Sequence, residues 1–239
     1  VWKYGRKKKK EGVRENLPEL VDRRKENDPK DRFLEMWEIT EFWRYLHSPD
    51  CPFPEPLLRY FKSTLYIGVR PSELLKALRA EINGDVWTIP AGRMKGNKAP
   101  AHLVHLVDSV LDIFGPTGNF PAVFPSYRKK GGLPWGLTNA EKYLQESFVV
   151  NGGKLNIEPF TPHDFRRTVE THMARIGVDT DTIKRCHAHS AKKIQGISAV
   201  YNRYEYYKEK AEAWQKWEEE LNSHLRGALA KASPLRVVR

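Results

Sequence analysis

Apolar residues first return at helical spacing just after residue 32. Leu34, Trp37, Phe42, Tyr45 and Leu46 recur at three- to five-residue steps, and Glu35, Glu38 and Glu41 fall on the other side. That pattern predicts an amphipathic helix. Pro49, Pro52, Pro54 and Pro56 interrupt it. A second apolar helix is expected over 57–67, with Gly68 permitting a turn. Pro71 suits the first position of the next helix, where Leu74, Leu75 and Leu78 supply a short apolar face. The β-prone run Val86-Trp87-Thr88-Ile89 and the weak alternation over 102–106 read as strands. Gly92-Arg93-Met94-Lys95-Gly96-Asn97-Lys98 lies between them and reads as a turn or hairpin loop.

Helices are expected again near 107–114 and 138–149. The Pro- and Gly-rich stretch between them is loop and includes the basic run Arg128-Lys129-Lys130-Gly131-Gly132. Thr161-Pro162-His163-Asp164 has the form of a helix start: Thr161 at the N-cap, Pro162 at N1 and Asp164 at N3 to close a capping box. Phe165, Val169, Met173 and Ile176 then mark one buried face, and Gly177 ends the helix. A short helix is expected over 180–185. A longer one runs from about 197 to 229, with Trp214, Trp217 and Leu221 on an apolar stripe. There is no internal repeat. The fold class this predicts is α+β, mostly helical with a small antiparallel sheet.

Composition narrows the setting. A chain of 239 residues, 40% hydrophobic, can bury one good core. No apolar run approaches the roughly 18 residues that a membrane helix needs. Two cysteines, Cys51 and Cys186, make no disulfide scaffold, so a reducing, cytoplasmic setting is expected. The sequence starts at Val1 without a Met or an apolar leader, and we expect a piece of a longer protein.

The net charge of +11 calls for an acidic partner, nucleic acid above all, against the alternative of a merely basic soluble protein. The excess is uneven. Residues 1–30 hold eleven basic and six acidic residues, including the run Arg6-Lys7-Lys8-Lys9-Lys10. Residues 221–239 hold four basic and no acidic ones. The stretch between them carries only +2, so any specific signal there lies in where single cations stand. The division expected is a basic arm or linker over 1–30, a globular domain over 31–220 and a basic tail, the end of a helix, over 221–239.

Several residues invite a joint explanation. Arg70 stands three residues before Glu73 at a helix start, and Lys95 stands on the hairpin loop. His163 and Arg166 share a helix face at i, i+3. His189 follows a short helix, and Tyr201 lies in Val200-Tyr201-Asn202-Arg203. Singly, each is an ordinary surface or core residue.

In this order they resemble the tyrosine recombinases, the phage-type integrases. Gly68-Val69-Arg70-Pro71-Ser72-Glu73-Leu74 is similar to the family's first arginine motif. Thr161-Pro162-His163-Asp164-Phe165-Arg166-Arg167-Thr168 is similar to its His-x-x-Arg box. Ala188-His189-Ser190 matches the second histidine position, and Tyr201-Asn202-Arg203 the nucleophile motif. The resemblance covers about 32–221.

It implies a tyrosine-recombinase-type catalytic domain that cleaves and rejoins double-stranded DNA through a covalent 3′-phosphotyrosine. Tyr201 would be the nucleophile and Lys95 the general acid for the 5′-oxygen leaving group. Arg70, His163, Arg166 and His189 would stabilise the phosphate's added charge. Lys98 and Arg167 would contact DNA. Glu73 is open between orienting the cations and being an ordinary acid at a helix N-terminus. No metal or cofactor is called for. A zinc site on Cys186, His187 and His189 lacks a second ligand pair at matching spacing.

The resemblance further implies a tetramer on DNA, a monomer in free solution, and a core-binding domain N-terminal to this region. Lys98 shares the hairpin with Lys95, and the family's basic residue precedes the turn glycine, which favours Lys95. The gap from His189 to Tyr201 is slightly longer than usual, and two places offer rival residues. His187-Ala188-His189 offers two histidines where one is usual, and Tyr204, Tyr206 and Tyr207 are rivals to Tyr201. A type IB topoisomerase-like enzyme and a catalytically decayed DNA-binding protein are the alternative readings.

Overall fold

The structure is a computed structural model, and it describes residues 32–94, 100–115, 120–126, 132–188 and 206–230. The chain divides into two units, Val1–Asp31 and Arg32–Arg239, and every described residue lies in the second.

Helix α1, Met36–Leu46, packs against α2, Glu55–Ile67. A short α3, Pro71–Leu75, leads to a three-stranded antiparallel sheet of β1, Ile82–Asn83, β2, Val86–Ile89, and β3, His102–His105, in the order β1-β2-β3. The pairing Trp87↔Val104 and Ile89↔His102 turns Trp87, Ile89, Val104 and His102 to the buried side. Then follow α4, Asp108–Phe114, α5, Leu137–Ser147, α6, Pro162–Arg175, α7, Thr180–Cys186, and α8, Tyr207–Ala230. The expected class, mostly helical with a small antiparallel sheet, is the one observed.

An aromatic cluster of Phe42 from α1, Phe61 from α2, Phe160 and Phe165 forms the centre, with ring centroids 5.0–6.1 Å apart. Helix α8 closes the core from outside. A helix leaves its last carbonyls without internal donors. Those of α2 are met by α8: Trp217 Nε1 donates to Leu65 O at 2.8 Å and Trp214 Nε1 to Ile67 O at 3.1 Å. The predicted stripe of Trp214, Trp217 and Leu221 is buried, and Leu225 and Ala228 continue it, so α8 is held to this core well past residue 221.

Three local readings change. The last helix, expected from about 197, begins at Tyr207, because Tyr206 before it has a left-handed φ of +52° that a right-handed helix does not continue through. On α1, Trp37 is 60% exposed and Glu38 is buried at 4%, the reverse of the expected faces. Charge pairing overrides the apolar pattern. Glu38 caps the helix through the Glu35 N–H at 2.9 Å and holds both Arg32 Nη atoms, at 2.9 and 2.6 Å. Strand β1 was not expected. Gly84, at φ +59°, makes a tight two-residue connection with Asp85 that lets Ile82 and Asn83 pair with Trp87 and Val86.

Candidate active site

The site grows from three element ends. Helix α2 stops at Gly68, whose φ of +63° is left-handed. A Cβ there would meet His187 Nε2 at 2.6 Å and Val169 Cβ at 2.7 Å, so only glycine lets α2, α6 and the end of α7 come this close. Two residues on, Arg70 is the extended N-cap of α3, with Pro71 behind it at N1 as the sequence predicted. Glu73 follows at N3, buried at 3%, and accepts Arg70 Nη1 at 2.9 Å. Removing that carboxylate would take a buried anchor from Arg70. This contact favours the orienting role for Glu73 over that of a solvated helix-terminal acid.

Arg166 lies one turn into α6. It is 5% exposed, pairs with Glu170 Oε1 at 3.2 Å and donates to the carbonyl of His187. Burial lowers its pKa to about 10; Glu170 opposes that shift and the charge of Arg70 adds to it. Two guanidiniums therefore stand within electrostatic reach of each other. Arg70 also donates from Nη2 to Ala188 O at 3.2 Å. The turn after α7 thus takes both arginines on successive carbonyls. Ala188 adopts φ +47°, a left-handed conformation uncommon for a residue with a side chain.

His163 is exposed at the second position of α6, where free backbone N–H groups and the helix dipole favour an anion. Its pKa is lowered, first by partial burial and then by the charges of Arg167 and Arg166. At neutral pH it is an uncharged imidazole with one acceptor nitrogen. The α6 start is fixed from within. Asp164 accepts both the Thr161 N–H and the Thr161 hydroxyl, each at 2.8 Å, and Arg167 Nη1 at 2.5 Å.

An arginine pair within electrostatic reach of an uncharged histidine at a helix N-terminus has the chemistry to meet a phosphate-sized anion. The sequence profile of the phage integrase family matches residues 32–206, which takes in all three element ends. The chain belongs to the phage integrase family. It is 30% identical over 154 residues to the prophage integrase IntA of Escherichia coli (strain K12), a match that covers 62% of this chain and 34% of that protein. The chain thus spans about a third of the length of the curated relative it matches. Among solved structures it resembles the integrase from mycobacterium phage Brujita, at 15% identity, over 93% of this chain and 73% of that one, with a TM-score of 0.56. It also resembles the lambda integrase catalytic core, at 13% identity, over 66% of this chain and 95% of that one, with a TM-score of 0.50. At such identities these two likenesses speak for the fold.

Of the residues picked out from the sequence, the structure brings together Arg70, Glu73, His163 and Arg166, with Arg167 at the α6 start. Lys95, Lys98, His189 and Tyr201 lie outside the described residues, as does Tyr204. Of the two candidate histidines, His187 is fully buried. Its Nδ1 meets Ile183 O at 2.9 Å, a packing role inside the helix end. Two rival tyrosines are described. Tyr207 has its hydroxyl 3.1 Å from His105 Nδ1, and burial raises its pKa. The Tyr206 ring lies under the Arg185 guanidinium, 3.7 Å from its centroid.

Sequence reading missed two residues here. Arg93, just before the hairpin loop, ties that loop's base to α3: Nη1 donates to Glu81 Oε2 at 2.5 Å, and Nη2 donates to Glu73 O. His102, on β3, places Nε2 3.0 Å from Cys186 O. Arg93 carried only the signal of a cation next to a turn. His102 carried none beyond its place in a strand.

Proposed function

We propose that this chain is the catalytic part of a site-specific DNA recombinase, an integrase that cleaves and rejoins a double-stranded crossover site through a 3′-phosphotyrosine. One observation carries this reading most: Arg70 and Arg166, 96 positions apart in sequence, donate into one turn beside the His163 helix start. A guanidinium is planar, stays charged and suits two oxygens of a phosphodiester at once.

In this reading the two arginines hold the non-bridging oxygens, and His189 adds a donor. The Tyr201 oxygen attacks phosphorus, and the bond from phosphorus to the deoxyribose 5′-oxygen breaks. Lys95 gives that oxygen its proton, while His163, uncharged, takes the phenolic one. Rejoining is the reverse, and no metal or cofactor takes part. Lys98 and Arg167 contact the DNA backbone, and Glu73 keeps Arg70 aligned. The working assembly is a tetramer on DNA, formed from monomers, with a core-binding domain ahead of the 1–30 arm, acting in the cytoplasm. Binding by this chain alone is expected to be weak and strongly salt-dependent.

The test is a suicide substrate made from the element's own crossover site. A protein–DNA adduct stable to detergent is expected, linked through a 3′-phosphate and formed equally well in EDTA. Tyr201→Phe should bind the site and give no adduct. An adduct that persists in that variant places the nucleophile elsewhere, and loss in EDTA overturns the metal-free scheme. Absence of any adduct from the unaltered protein favours a decayed DNA-binding protein. Relaxation of supercoils without exchange between duplexes favours the topoisomerase-like reading.

A further inference from the structure

The end of α7 is held in a way that no sequence motif announces. Three successive carbonyls each accept a side chain from a different element. Cys186 O takes His102 of β3 at 3.0 Å, His187 O takes Arg166 of α6, and Ala188 O takes Arg70 at the start of α3, at 3.2 Å. A helix end needs outside donors for its last carbonyls. Two of the three donors are the arginines assigned to the phosphate, and the third is free of that duty. We propose that His102 is a positioning residue. By holding the Cys186 carbonyl it fixes the turn whose next two carbonyls orient Arg166 and Arg70. The reaction it serves rests on the recombinase reading above; the hydrogen-bonded geometry does not.

Several features make His102 an anchor. It is 7% exposed and pairs with Ile89 in the sheet. The carbonyl of its neighbour Leu103 accepts the buried Lys210 Nζ from α8 at 2.9 Å. Strand β3 is therefore pinned from two sides. A carbonyl only accepts, so the His102 ring must carry its hydrogen on Nε2. Burial, and after it the Lys210 charge, depress the pKa of the ring to about 3, which keeps it neutral with one donor to give. The turn it holds is largely screened from water, with His187 wholly buried, Arg166 nearly so and Ala188 half-buried. Gly68 closes against the His187 ring from the far side. The left-handed backbone at Ala188 is the kind of conformation that persists only when its surroundings fix it.

The experiment compares His102→Gln, His102→Asn and His102→Leu. A glutamine amide puts its donor where Nε2 stood. An asparagine amide puts it nearer the strand, about where Nδ1 stood, and so misses Cys186. Two readings are taken on each folded variant: adduct formation on the suicide substrate beside DNA affinity, and the Nε–H resonances of Arg70 and Arg166 without DNA.

His102→Gln should stay near the unaltered protein in both. His102→Asn and His102→Leu should form adduct about tenfold to a hundredfold more slowly at nearly unchanged DNA affinity, the size expected for misplaced catalytic groups. Both arginine resonances should move in those two variants. Equal behaviour of Asn and Gln, or arginine resonances that stay put in both Asn and Leu, overturns the proposal. If His102→Leu does not fold, the Asn–Gln pair decides, because both are polar and differ in donor position. If even the unaltered protein forms no adduct, the recombinase reading fails, and the arginine resonances still decide whether His102 positions them.

Discussion

Helices α6 and α7 bring opposite ends toward the arginine pair, and the two ends are built on different principles. The α6 start is satisfied by its own neighbours: Thr161 and Asp164 bond each other, and Arg167 closes on Asp164. The α7 end is satisfied from afar. His102 is 84 residues away in sequence from the carbonyl it meets, Arg166 is 21 and Arg70 is 118. A locally capped end can form before the rest of the domain is in place. An end capped by three distant donors exists only in the finished fold, and it reports on that fold directly. The α6 start offers an anion its N–H groups, while the α7 end sets the angle of the two cations.

The contrast yields graded expectations. Arg166→Ala strikes both principles at once, removing the proposed phosphate ligand and one of the α7 donors. It should slow adduct formation by about a hundredfold to a thousandfold, the cost of one lost transition-state donor, and weaken DNA binding far less. Equal losses in rate and affinity would make Arg166 a phosphate-binding residue only. Gly68→Ala attacks the distantly built end through packing. Left-handed strain and overpacking against His187 and Val169 should cost about 2–4 kcal/mol in urea denaturation. A smaller cost would mean that α7 can retreat.

Asp164→Ala attacks the locally built end and should cost about 1–3 kcal/mol, the loss of a cap with buried bonds. Asp164→Asn should cost less, because its amide oxygen can still accept. The smallest effect is acid sensitivity. His102 has a lowered pKa in the folded protein, so the unfolded chain binds the proton more readily and stability falls as pH drops below the unfolded value near 6.5. Between pH 7 and pH 6 this one ring should cost under about 1 kcal/mol. His102→Gln should lose less than the unaltered protein over that range.

The same contrast explains what could be read in advance. Thr161, Pro162 and Asp164 gave the start of α6 to the residue, because capping is chemistry between neighbours. Pro71 did the same for α3, and the 3.6-residue pattern found the buried face of Phe165, Val169 and Met173. The face of α1 was misjudged where a pair intervened: Arg32 makes Glu38 a residue that can be buried, and Trp37 is left outside. Strand β1 is two residues long, too short for any period to show. In the site, Arg70, His163 and Arg166 stood out through the family motifs around them. His102 and Arg93 could not, because each meets a backbone carbonyl, which any residue type supplies, and the other partner of Arg93, Glu81, stands twelve residues away with no motif joining them.

The sequence by itself determined the starts of α3 and α6, the mostly helical class and the family, and it singled out the cations proposed to meet a phosphate. These depend on short-range chemistry and on the order of residues along the chain. Folding in three dimensions decided that Glu73 bonds Arg70, that His187 is buried against Ile183 O, and that three carbonyls at one helix end gather His102, Arg166 and Arg70. Those choices turn on which donors reach which acceptors once water is excluded. Only the closed core, with α8 and the sheet in place, brings those donors within reach.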